Sequence, residues 1–335
     1  MSFLEERKIV SIGGGTGLSI LLRGMKRFTD EITAIVTVAD DGGGSGILRE
    51  DLGMLPPGDI RACILALSNT EPAMEKLFQF RFENGMLKGQ SFGNLLIAAM
   101  NEIYGNFGKA IQETSNVFNI TGNVLPVTLE SMTLLAELEN GQKCIGESII
   151  PKLSLAEKSP IKSIRLENPN AKALDEGLKA IERADLIVLG PGSLFTSIIP
   201  NLLVDGVVES INSASAKTAY ICNIMTQPGE TSNYGVYDHV AKLLEHRPDL
   251  ELDYCLANVM EIDEDSKEAY ASENSYQVLP TDEDEKRLNE LGIELITGNF
   301  IEVKNGYVRH DSVFISQKLI SIADSDNIVK KGKYE

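Results

Sequence analysis

The sequence has 335 residues, 43% hydrophobic, which is enough apolar material for one large core or two small ones. Its 49 acidic residues against 31 basic give a formal charge of -18, and a chain of that sign with no local basic patch excludes nucleic acid as a partner. Cys63, Cys144, Cys222 and Cys255 are far apart, lack paired metal spacing and read as buried thiols of a reducing compartment; with no charged-then-apolar leader and no bilayer-length apolar run, a cytoplasmic protein without membrane insertion is expected.

The first feature in chain order is Lys8–Met25. Ile9, Val10 and Ile12 predict a buried strand, Gly13, Gly14, Gly15, Thr16 and Gly17 a tight loop, and Leu18, Leu21, Leu22 and Met25 one face of a helix. Free N–H groups at such a helix start point at an anion, so the loop predicts a phosphate-bearing ligand. The strict dinucleotide fingerprint wants a small residue where Leu18 stands, which weakens the case for NAD. Ile32–Val38 predicts a second parallel strand running into Asp40, Asp41, Gly42 and Gly43. The two carboxylates suit a ribose, a divalent ion such as Mg2+, or an Asx-capped turn.

Asp59 falls where a helix cap belongs and Arg61 one turn into an apolar helix, where the dipole gives it nothing and an anionic partner would. Helical periodicity continues to Val117, through Asn94 at another helix start, and defines a helical insertion over about 60–120. From Val124 to Ile150 the pattern alternates and predicts a hairpin, Leu134–Leu138 and Lys143–Ser148 around an Asn-Gly turn. Ser159–Glu167 reads as a strand, Lys172–Ala184 as a helix, and Asp185–Leu189 as a buried strand ending in Gly190, Gly192 and Ser193, with Thr196 and Ser197 as further hydroxyl donors. A second strand-loop-helix unit at mid-chain is what a doubly wound sheet needs at its switch point. Lys217–Asn223 predicts a strand, Gly235–His246 a helix with His239 as a packing residue, Glu261–Lys286 a solvated acidic stretch, Ile293–Val303 and Gly306–His310 closing strands, and Val313–Ala323 a last helix. The expected fold is α/β, a Rossmann-like doubly wound and mostly parallel sheet with a helical insertion and a β-hairpin, as one domain over 1–325 followed by a tail at 326–335.

Six blocks, Gly13–Gly17, Ala39–Gly43, Pro56–Arg61, Gly190–Ser193, Asn223–Glu230 and Arg309–Asp311, resemble the YvcK branch of the CofD-like proteins along nearly the whole chain. The resemblance implies binding of a nucleotide-sugar such as UDP-N-acetylglucosamine. It also implies a role in growth on gluconeogenic carbon sources and in cell shape through cell-wall precursor supply. It adds Asn223, Thr226 and Arg309 to the ligand-binding set. The other branch of the superfamily implies a magnesium-dependent transferase of a phosphoryl-linked group, with Asp40, Asp41 or Asp59 to hold the metal, Asp41 and Asp59 first among them. Gly44 stands where a serine is usual and Gln90 where a histidine is common. A nicotinamide-dependent oxidoreductase is a third reading, and a homo-oligomer is left open.

Overall fold

The computed structural model describes residues 7–304 and 306–331. β1 (Ile9–Gly13) leads into α1 (Gly15–Met25), and β2 (Ile32–Val36) into α2 (Gly43–Leu52). The helical insertion follows: α3 (Gly58–Leu67), α4 (Pro72–Gln79), α5 (Phe92–Tyr104) and α6 (Phe107–Val117). β3 (Asn123–Pro126) returns to the sheet before β4 (Leu134–Leu138), β5 (Lys143–Ile145), α7 (Ile150–Glu157) and β6 (Ile161–Leu166). Next come α8 (Asp175–Glu182), β7 (Leu186–Leu189), a π-turn at Leu194–Ile198, α9 (Ile199–Leu202), α10 (Val207–Ser213) and β8 (Lys217–Ile221). The chain ends with α11 (Val236–His246), β9 (Tyr254–Asn258), α12 (Glu264–Ser272), α13 (Asp282–Glu290), β10 (Glu294–Gly298), the strands β11 (Ile301–Lys304) and β12 (Tyr307–His310), and α14 (Ser312–Lys331).

Seven parallel strands in the order β10-β9-β8-β7-β1-β2-β3 form the central sheet. Every residue of β1 and β7 is buried, as expected for strands covered on both faces. The winding reverses between them, so the loops after β1 and β7 meet at the carboxyl ends of these two central strands. α1 buries Leu18, Leu21, Leu22 and Met25, the face that the periodicity predicted.

Several expectations need correction. Val124 belongs to β3, in the central sheet, and not to the alternating segment. The hairpin forms at the Asn-Gly turn, but β6 pairs with β4 as well, making a three-stranded antiparallel sheet. β9 is a strand in a stretch that showed no strand pattern. The run Ile293–Val303 is two strands, β10 in the central sheet and β11 in a hairpin with β12, whose turn residue Asn305 lies outside the described residues. Residues 326–331 of the expected tail continue α14, and 332–335 lie outside the described residues, as do 1–6.

Candidate functional site

At the switch point the two loops enclose a cleft of about 310 Å³. Gly14, Gly15, Thr16, Gly17, Gly192, Ser193, Asn223 and Arg309 line it, and Gly13 and Gly190 pack beneath, a Cβ on Gly13 falling 3.6 Å from Gly190 Cα. Gly17 is where the loops touch: a Cβ there would lie 2.6 Å from the Pro191 carbonyl oxygen. α1 begins behind the extended N-cap Gly14, which has no side chain to cap it. Gly15 N–H donates to the Asp59 carboxylate. The other N–H groups of that first turn are the open, positive end of the helix.

Arg309 reaches the cleft from β12, its guanidinium 5.5 Å from the Tyr307 ring centroid. A pairing with one of the many surface acids is not formed: among the described residues it makes no ion pair. His310 also lines the cleft; its Nε2 is 3.2 Å from the Cys222 carbonyl oxygen, and burial holds the imidazole down at about 4, so it is neutral. Gln227 was not read from the sequence, although it lies within the Asn223–Glu230 block. Its Nε2 donates to Ser193 Oγ at 2.8 Å and its Oε1 accepts from Asn223 Nδ2 at 3.2 Å, which fixes both neighbours.

In the π-turn after β7, where Ser193 and Ser197 line the cleft, the next donors are taken by a side chain. Glu230, buried at 7% exposure, accepts from Phe195 N–H at 3.2 Å and from the Thr196 hydroxyl at 3.1 Å. Burial pushes its carboxyl up to about 7 against those hydrogen bonds. Thr196 is therefore a partner of Glu230 and not a ligand donor. Thr226 lies outside the cleft lining as well. It is buried, and its hydroxyl accepts from Tyr276 N–H at 2.8 Å, tying the loop to residue 276. His239 is fully buried, edge-on to Tyr234 with ring centroids 5.5 Å apart, as a packing residue should be.

Asp40, Asp41, Gly42, Gly43, Arg61 and Asn94 gather beside the cleft without lining it. Asp40 Oδ1 accepts from Gly42 N–H at 2.9 Å, the Asx turn, and Asp41 Oδ1 accepts from Ser148 N–H at 2.9 Å. Asp59 does not cap α3, whose N-cap is Pro57; it sits in the first turn and turns to Gly15, linking α3 to the loop after β1. Burial first and then Asp40 push the Asp59 carboxyl up to about 6. Glu147, unread in the sequence, joins this group from the segment after β5. Burial, then Asp40, Glu230, Asp41 and Asp59 push it up to about 8. Among the described residues no three His, Cys, Asp or Glu side chains converge on one metal position. Asp41 and Asp59 would thus hold Mg2+ only together with ligand oxygens, the way Mg2+ is commonly bound beside substrate phosphates.

A family model described as 2-phospho-L-lactate transferase CofD matches residues 9–301. A protein of Thermoanaerobacterium thermosulfurigenes is 53% identical over 323 residues, covering 96% of this chain and 99% of its own. The gluconeogenesis factor of Bacillus subtilis is 46% identical over 319 residues, covering 95% and 98%. A crystal structure of a UPF0052 family member from Bacillus halodurans superposes with a TM-score of 0.90 at 45% identity, covering 94% of this chain and 99% of that one.

Proposed function

This chain belongs to the CofD family, and from that premise we propose that it binds a nucleotide-sugar of the UDP-N-acetylglucosamine type with the diphosphate in the switch-point cleft. The observation that carries this reading is the start of α1, with its N–H groups after Gly15 left open, facing Arg309, which has no ion pair among the described residues. Helix N–H groups and a guanidinium fork are the two donors a diphosphate uses best. Gly192, Ser193 and Asn223, the last two held by Gln227, supply the remaining polar wall. The name carried by the Bacillus subtilis relative supports a role in growth on gluconeogenic carbon sources. Through the sugar, that role extends in our reading to cell-wall precursor supply and cell shape.

A second reading, a magnesium-dependent transferase of a phosphoryl-linked group, is favoured by the family model and by the carboxylates of Asp40, Asp41 and Asp59 beside the cleft. There Asp41 and Asp59 would hold the ion against ligand phosphates, where it would offset developing negative charge. A nicotinamide reading has less support, since Leu18 at the third fingerprint position is buried in the core under α1. Calorimetric titration with UDP-sugars, GDP and NAD, with and without Mg2+, separates the three. Magnesium-independent binding of a UDP-sugar supports the first; binding of GDP alone, or of NAD alone, refutes it.

A further inference from the structure

A groove of about 860 Å³ lies away from the switch point, at the β3 edge of the central sheet. Its floor is β3, and its walls are α6 and α8. β3 pairs with β2 and ends the sheet, with no described strand on its other side. Val127 N–H donates to the Val36 carbonyl at 2.9 Å, so alternation along the strand turns residues 123, 125 and 127 toward β2. The N–H and C=O of Val124 and the C=O of Pro126 therefore face the open edge. Proline suits that place, because the donor it lacks would have pointed away from the sheet. An open strand edge is a template for a further strand, and this one is left uncovered in a groove.

The two walls differ in what they leave free. On α6 the polar side chains satisfy one another: Asn106 Oδ1 accepts from Lys109 N–H at 2.9 Å, and Lys109 Nζ reaches Gln112 Oε1 at 3.0 Å and the Glu113 carboxylate at 2.7 Å. On α8, Lys179 and Arg183 stand one turn apart, both exposed, and neither makes an ion pair among the described residues. Glu176 is the carboxylate of the lining, so the α8 wall carries a surplus of positive charge on a chain of net charge -18. Leu129, 40% exposed, and the half-buried Leu125 and Leu174 add apolar surface.

We propose that this groove takes an extended acidic segment of a partner protein, which adds to β3 as an eighth strand of the central sheet. Its main chain bonds to Val124 and Pro126, and its side chains alternate between the two walls, so that carboxylates two residues apart meet Lys179 and Arg183 while apolar side chains meet the leucines. With three backbone groups on offer, the ladder is short, and the charges decide which segment binds. A second copy of this chain fits poorly: its β3 would lie recessed between its own α6 and α8, and its own Lys179 and Arg183 would face the same charges. No residue of the groove lines the switch-point cleft, so the two sites are separate.

The test is fluorescence anisotropy at low salt with two labelled heptapeptides in which valine and glutamate alternate, one in each phase. At least one should bind saturably, the same peptide with lysine for glutamate should not, and N-methylation of the alternate amides on one edge should abolish binding while the other edge tolerates it. The double variant Lys179→Ala, Arg183→Ala should weaken binding by roughly fivefold, and added salt should weaken it in the parent. Both side chains are exposed, so the melting temperature should hold. Exchange of the Val124 amide hydrogen, followed by NMR, should slow when peptide is bound. Arg309→Ala should leave peptide binding unchanged, which keeps this test independent of the nucleotide-sugar reading. Binding of neither peptide, indifference to N-methylation on both edges, or an isotherm of the double variant that overlays the parent's would overturn the proposal. So would a parent that sediments as a dimer and becomes a monomer in Leu129→Glu, since a second copy would then occupy this edge.

Discussion

Arg309 carries the most information per residue. On the proposed nucleotide-sugar reading, replacing it by alanine would remove one charge-assisted contact to the diphosphate, worth ~1.5–3 kcal/mol, so the dissociation constant should rise by roughly tenfold or more. Arg309→Lys should recover only part, since an ammonium is a point charge without the fork. An alanine isotherm equal to the parent's, at an unchanged melting temperature, would remove Arg309 from the site. Gly14 is more than the loop residue its place in the glycine run suggests, because it is also packed. A Cβ there would stand 2.5 Å from Thr37 Cγ2 and 2.6 Å from Asp59 Oδ2. Gly14→Val should therefore lose about 1–3 kcal/mol of stability by denaturant unfolding as well as affinity; full stability would contradict this packing. Residue types and spacing made the glycine loops legible, but not which way Thr226, Asp59 or Glu230 turn. Those directions depend on partners at residues 276 and 15 and in the π-turn, which the chain brings near only on folding.

At the scale of elements, the sheet was legible where strands are apolar throughout or rich in β-branched residues, as in β1, β2, β7 and β8. β3 is Asn-Val-Leu-Pro, four residues closed by a proline, which reads as loop and is tolerated because it is an edge strand. β9 was hidden because the acidic, proline-bearing stretch before it breaks the apolar run, and only pairing with β8 and β10 defines it. The contact that matters most between elements is Gly17 against Pro191. Any side chain at position 17 must push α1 away from the loop after β7, given the 2.6 Å approach. Gly17→Ala should cost about 1–3 kcal/mol in unfolding free energy and lower nucleotide affinity in the same variant. Loss of affinity with stability unchanged would show that the two loops are not packed together in solution.

For the whole molecule, the proton balance gives a pH signature. Asp59, Glu147 and Glu230 have folded pKa values raised to about 6, 8 and 7, so their contribution is present at low pH and lost as pH rises through those values. His239, His246 and His310 are held below their ordinary value, chiefly by burial, and contribute the opposite slope up to about 6.5. The two sets oppose each other in acid, and only Glu147 and Glu230 still titrate above the histidines. Unfolding free energy should therefore fall between about pH 6.5 and 8, by roughly 1.4 kcal/mol per pH unit for each proton held, and Glu147→Gln should flatten that fall. A rise over the same interval in the parent would show that these carboxyls are ionised in the folded protein.

The central claim, that the fold places a nucleotide diphosphate between the start of α1 and Arg309, is tested most directly by a crystal structure of the protein with UDP-N-acetylglucosamine. Diphosphate oxygens within ~3 Å of the Thr16 and Gly17 N–H groups and of the Arg309 guanidinium are the predicted result. A diphosphate seated elsewhere, with that cleft filled only by solvent, would contradict it.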